Sequence, residues 1–228
     1  MALEGGVIVL SILLAFAIDA WWNHRKERIE GIEQLSHVAA ELRLNSDMVR
    51  SKIEILQIAI DAASQFLSWM GPEPLEKDSE SVAHQLNVLS EIGTFSLVRR
   101  AADDYLAAGR ESTSRDTLIR ESLSEWYFFG DRLENQYTIL RTEHWTLNDY
   151  LNRIPVAPAL VISKANPVMA KHPVSKFPFD QYALLTDPVL ESLLANYLIR
   201  LEFVVALSLK QQEIQTNLLD AIVAIVPD

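Results

Sequence analysis

The chain has 228 residues, and its 20 lysines and arginines against 31 aspartates and glutamates leave a formal net charge of −11. That balance argues against a nucleic-acid-binding surface, which needs clustered cations to neutralise phosphates. Cysteine is absent, which excludes disulfides, thiolate catalysis and cysteine-ligated metals, while 49% hydrophobic residues suffice for one ordinary domain plus an anchor.

Gly5 to Trp22 is apolar apart from Asp19. As a helix it would rise about 27 Å, close to the hydrocarbon thickness of a bilayer. Trp21 and Trp22 fall where an interfacial aromatic belt belongs, and His24, Arg25, Lys26 and Arg28 come next. Ala15-Phe16-Ala17 resembles a signal-peptide cleavage site, but Met1 to Glu4 lacks the basic region such a signal carries. The expectation is a retained single-pass transmembrane anchor over residues 1–23, with Trp21, Trp22, Arg25 and Lys26 as interface anchors. Ser11, Ala15 and Asp19 are spaced by four and share one helical face, suited to packing against another membrane helix. A carboxylate there is costly unless it meets a protein donor or snorkels to the headgroups. Because the basic cluster flanks only one side, the positive-inside rule places residues 24–228 in the cytoplasm, the periplasm being the alternative.

No breaker separates the anchor from the first long helix of the domain. Ile32, Leu35, Ala39, Leu42, Ser46, Val49, Ile53, Leu56, Ile60, Ala63, Leu67 and Met70 alternate steps of three and four, a seam that Ser46 alone interrupts. Ile55, Ile58, Ala59, Ala62 and Phe66 form a second row beside it, which implies burial by more than one neighbour. Gly71-Pro72-Glu73-Pro74 ends this helix. Short helices are expected over Ser81 to Ile92 and Leu97 to Ala108. A second long helix, Ser114 to Ile154, carries the seam Ile119, Leu123, Trp126, Gly130, Leu133, Tyr137, Leu140, His144, Leu147, Leu151 and Ile154. A third begins at Asp187-Pro188, an N-cap with proline at the first helical position, and runs to about Val226. Its seam reads Leu190, Leu194, Tyr197, Leu201 and Val204, then shifts phase to Leu207, Ile214, Leu218 and Ile225. The apolar run Phe203 to Leu209 is too short for a second span.

Between the last two long helices lies an extended excursion, residues 155–187. Six of the nine prolines fall between Pro155 and Pro188, and Lys164, Lys171 and Lys176 meet no acid before Asp180. Connectivity suggests that the second long helix returns toward the membrane. The excursion would then be a membrane-proximal loop whose lysines meet headgroups or a membrane partner; the alternative is a loop tucked against the bundle. The fold class expected is all-α: an N-terminal transmembrane helix continuing into an antiparallel bundle of three long heptad-patterned helices with two short capping helices.

Reaction chemistry is not legible. His37 and Glu41, four apart, supply two of the three or four ligands a metal needs, and a solvated face is the simpler reading. His144 lies on a seam, as a buried hydrogen-bonded histidine would. Arg99 and Arg100 stand four residues before Asp103 and Asp104, the geometry of surface ion pairs. Trp126, Tyr127, Phe128 and Phe129 are consecutive, so they point around a helix and read as core on two sides. There is no phosphate-binding loop or nucleophile motif. No cofactor, metal, nucleic acid or small-molecule substrate is therefore implied.

Gly6 to Trp22, ending in Asp19-Ala20-Trp21-Trp22 and leading into charged helix, resembles the start of a family of uncharacterised bacterial single-pass membrane proteins. Thr94-Phe95, Ala101 to Arg110, Leu118-Ile119-Arg120 and Leu123 to Trp126 are similar to that family's middle segment. Ala108-Gly109-Arg110-Glu111 departs from it where an apolar residue would come after the turn. The resemblance covers about a third of the chain and implies architecture, not a reaction. The functional expectation is a non-enzymatic, membrane-anchored accessory or scaffolding subunit of a larger bacterial membrane complex, a bioenergetic one for example. Its partners would be other membrane subunits and the lipid bilayer, and its place the bacterial inner membrane. A regulatory or sensory helical module signalling at the membrane is the alternative.

Overall fold

The computed structural model describes residues 2–89, 92–108, 114–154 and 180–226. Among these there are six helices and no strand: α1 (Ala2–Trp69), α2 (Ser79–Leu89), α3 (Arg100–Ala107), α4 (Ser114–Arg153), α5 (Gln181–Leu185) and α6 (Pro188–Val223). The protein is all-α, and the anchor segment does continue into the first long helix without a break. The chain divides into two compact units, one of residues 1–46, 98–125 and 214–228, the other of residues 47–97 and 126–213.

The second unit owes its core to the heptad seams. Leu56, Ala63 and Phe66 of α1, Leu133, Tyr137 and Leu140 of α4, and Leu190, Leu194, Tyr197 and Leu201 of α6 are buried in one cluster that α2 joins through Val82, Leu86 and Leu89. Each such large apolar side chain contributes about 1.5–3 kcal/mol when removed from water. Of the second row read on α1, Ala59, Ala62 and Phe66 are buried, but Ile55 and Ile58 face solvent at 38% and 58% exposure. The extra neighbours reach only the last turns.

Direction is set by polar contacts within this unit. The α4–α6 pair is antiparallel: Tyr150 donates to Asp187 at 2.6 Å, Arg200 pairs with Glu143 at 3.2 Å, and Gln211 donates to the Trp126 carbonyl at 3.3 Å. The other pair, α1 and α4, runs in the same direction. Gly93 sits against Lys52 and Phe95 stacks on Tyr137 at 4.8 Å, whereas the far end of α1 meets α5 through the Gly71 amide and the Leu185 carbonyl at 3.0 Å. Only the third long helix is antiparallel to its fellows; the second does not return along the first. The reason is the connection after α1. Gly71 turns the chain at φ 146°, which glycine alone adopts without strain, α2 doubles back with Gln85 bonded to Gln65, and α4 starts afresh.

The expected helix Leu97 to Ala108 is shorter, α3 beginning at Arg100. Leu97 is not helical; its amide is taken by the Glu134 carboxylate at 2.7 Å. The excursion also ends earlier than expected. Asp180 caps the one-turn helix α5 through the Ala183 amide, and α5 buries Leu184 and Leu185. The N-cap of α6 is as expected, with Asp187 accepting from Val189 at 2.8 Å and Leu190 at 3.2 Å.

The first unit combines α1 up to Ser46, α3, the start of α4 and the end of α6. Leu35, Val38, Leu42, Tyr105, Ile119, Leu123, Leu218 and Ile222 are among its buried side chains. The α6 seam widens toward its end. Leu207, Ile214 and Leu218 are buried as expected, and the original three-four alternation also continues through Ser208, Gln211 and Gln215, all buried, to Ile222, while Ile225 is only partly covered.

Candidate functional site

Two regions of the first unit stand apart from ordinary bundle surface. The first is the N-terminal part of α1. Every residue from 12 to 30 is exposed. Ile12, Leu13, Leu14, Phe16, Ile18, Trp21 and Trp22 are each 51–67% exposed. Ala15 and Asp19 are exposed one turn apart, and Ser11 lies one turn earlier on the same helix. The Arg25 guanidinium lies 5.6 Å from the centre of the Trp21 ring, whose neighbour Trp22 is 6.3 Å away, and Lys26 pairs with Glu30 at 3.8 Å. Among the described residues, no other helix covers the apolar residues of this stretch, which are exposed on all faces of α1.

The second region is an open cleft of about 1030 Å³ between α1 and α3. Gln34, His37, Ala40, Glu41 and Leu44 line it from one helix, Val98, Arg100, Ala101, Asp104, Ala107 and Ala108 from the other stretch. Its wall is built by two side chains of α1 one turn apart. The Asn45 amide donates to the Val98 carbonyl at 2.7 Å and accepts from the Val98 amide at 2.9 Å, as a neighbouring backbone strand would. Glu41 accepts from the amides of Ala101 at 2.8 Å and Ala102 at 3.2 Å. Arg99, at the N-cap position of α3, supplies no side-chain cap, so Glu41 caps the helix from across the bundle and places its charge at the positive end of the dipole. Glu41 is therefore 9% exposed and structural, not part of a solvated face, while His37 is exposed beside it. The Gln34 carbonyl oxygen is buried and meets no hydrogen-bond donor among the described residues. Below the cleft, Tyr105 donates to Asp116 at 3.1 Å and Arg120 stacks over its ring at 5.4 Å.

The remaining sequence candidates resolve individually. His144 is buried on the α4 seam and hydrogen-bonded to Asn148 at 3.0 Å, as its position suggested. Trp126 is fully buried, but Phe128 is 62% exposed, so the aromatic run is core on one side only. Burial pushes the Tyr137 and Tyr197 hydroxyls well above the usual range, Glu143 adding to the effect on Tyr197, and keeps both neutral. No three histidine, aspartate or glutamate side chains converge among the described residues. Lys164, Lys171 and Lys176 lie outside the described residues. The flank of their loop is fixed at the C-terminal end of α1, with Gln181 donating to the Lys77 carbonyl at 2.6 Å. The membrane-proximal placement expected of that loop likewise falls outside the described residues.

One described helix, α6, is long and apolar enough to cross a membrane. The short run Phe203 to Leu209 understated this, because the seam residues and the exposed Ile199, Phe203 and Leu209 add together over the whole helix. A third of its most apolar stretch is buried within the chain. The chain matches no protein-family model, no curated protein and no solved structure.

Proposed function

We propose that the chain is a non-enzymatic scaffolding subunit anchored in a bacterial inner membrane by the start of α1, with its helical bundle in the cytoplasm binding another membrane subunit. The observation that carries this reading is the exposure of every residue from 12 to 30, eight of them large and apolar. About 20 such residues exposed in water would aggregate, whereas a bilayer covers them on all sides at once. The tryptophan pair, with Arg25, Lys26 and Arg28 just beyond it, supports an interface at that level and a cytoplasmic bundle. The other apolar helix, α6, is better read as core. Its seam packs in the bundle, and Arg200 is tied to Glu143 and Gln136 at 3.2 and 3.1 Å.

The test compares the full chain with a variant beginning at Asn23. The full chain should stay in membranes washed with alkaline carbonate, and the variant should appear in the soluble fraction. Protease added to sealed inverted vesicles should digest the bundle. Release of the full chain by carbonate would end the anchor reading, and protection in inverted vesicles would reverse the orientation.

A further inference from the structure

We infer that the cleft between α1 and α3 is the seat of a second copy of this chain, docked about a two-fold axis through α3. Its lining includes four small side chains, Ala40, Ala101, Ala107 and Ala108, which let another helix approach closely. Leu44 and Val98, also on the lining, are 52% and 39% exposed and gain by leaving water. A small and apolar lining fits a helix, and the charges choose which helix.

Arg100 and Asp104 both face the cleft, one turn apart on α3. Their spacing suits an intrahelical ion pair, yet among the described residues neither has an ion-pair partner. Arg153 and Asp149, equally spaced on α4, do pair. Two opposite charges separated by about 6 Å along a helix are complementary to their own reversed image. A two-fold axis between the two positions lays α3 antiparallel against its mate. Arg100 of each copy then meets Asp104 of the other, and the two pairs form together. An isologous interface has this property, because the contact from i to j implies the contact from j to i. Another partner would have to present the same pair, in reverse order and at the same spacing; a second copy already does. The chain's net charge of −11 opposes self-association, so the paired contacts matter more here than in a neutral protein. The inference does not depend on the membrane reading.

The test uses the full chain in detergent micelles, with protein mass read by sedimentation and folding monitored by circular dichroism. Wild type should be dimeric at micromolar concentration. R100D places acids at both positions and D104R places cations at both, so either alone should weaken the dimer at least tenfold while leaving the helix signal unchanged. Mixing the two variants should give a heterodimer, and the double variant R100D/D104R should recover the homodimer. Monomeric wild type, a dimer indifferent to both single changes, or a folded double variant that stays monomeric would each overturn the proposal. Any of these would leave the cleft to a different protein.

Discussion

Helix α1 carries two kinds of apolar surface along one continuous backbone. From Ile12 to Trp22 its hydrophobic residues run on with Asp19 the single break and all face outward; from Leu35 to Phe66 the apolar residues of the seam recur every three or four positions and most of them are buried. Hydrophobicity alone does not separate the two stretches; its arrangement does. A stripe can be satisfied by neighbours from the same chain, whereas a helix apolar all round needs a surrounding medium or other chains. The transition falls between Glu30 and Leu35, where unbroken exposure gives way to the first buried seam residue.

The widest contrast should come from truncating one residue on each side of that transition. Leu42 is 1% exposed and Phe16 67%. Leu42→Ala should cost the bundle about 2–5 kcal/mol in urea unfolding of the detergent-solubilised chain, and Phe16→Ala less than about 0.5 kcal/mol. Equal effects would erase the distinction between the two stretches. A smaller loss is expected at Glu41, with Asn45 one of two buried polar residues of the buried stretch. Glu41→Ala leaves the amides of Ala101 and Ala102 without their acceptor and should cost about 1–3 kcal/mol, with amide exchange accelerated first in α3. Unchanged exchange there would mean that the cap is ornamental.

The smallest effect is at the α6 cap, away from α1 altogether. Asp187→Ala should cost about 1 kcal/mol. Burial alone would raise the Asp187 carboxyl, but the Tyr150 hydroxyl and the Leu190 and Val189 amides together hold it below its ordinary 3.8. A carboxyl depressed in the folded state stabilises above its unfolded value and loses that contribution as pH falls through the folded one. Tyr150 is raised above 10.0, first by its hydrogen bond to Asp187, so its share persists below pH 10 and is lost above it. The difference between wild type and Asp187→Ala should therefore be widest between about pH 4 and 10 and shrink on both sides. A difference independent of pH would remove Tyr150 from the cap.

Periodicity made the long helices legible, since ten of the eleven seam positions from Ile119 to Ile154 are buried and Ile154 is partly so. It failed where polar residues occupy seam positions. The burial of Gln211 and Gln215 beside Leu207 and Ile214 was not legible, because a buried amide and an exposed one look alike without their acceptors, here the Trp126 and Leu42 carbonyls. Glu41 was missed for the same reason, its partners lying sixty residues on; the only available signal was its spacing from Asn45 across the seam. Leu97 has helical company, but Glu134 and Asn45 hold the stretch that precedes α3 in extended form, and such tertiary contacts override propensity. Helix direction was beyond reach, since a heptad seam reads the same whichever way its neighbour runs.

The bond from Gln215 to the Leu42 carbonyl joins residues 173 positions apart. At roughly 5–20 residues per second, a ribosome needs about 10–35 s to make the chain between them. For that interval the emerging α1 has its apolar seam finished and its closing helix unmade. Nascent chains of this protein should therefore depend on chaperone cover most strongly before α6 is translated, and a stall just upstream of Asp187 should be the most aggregation-prone point in its synthesis.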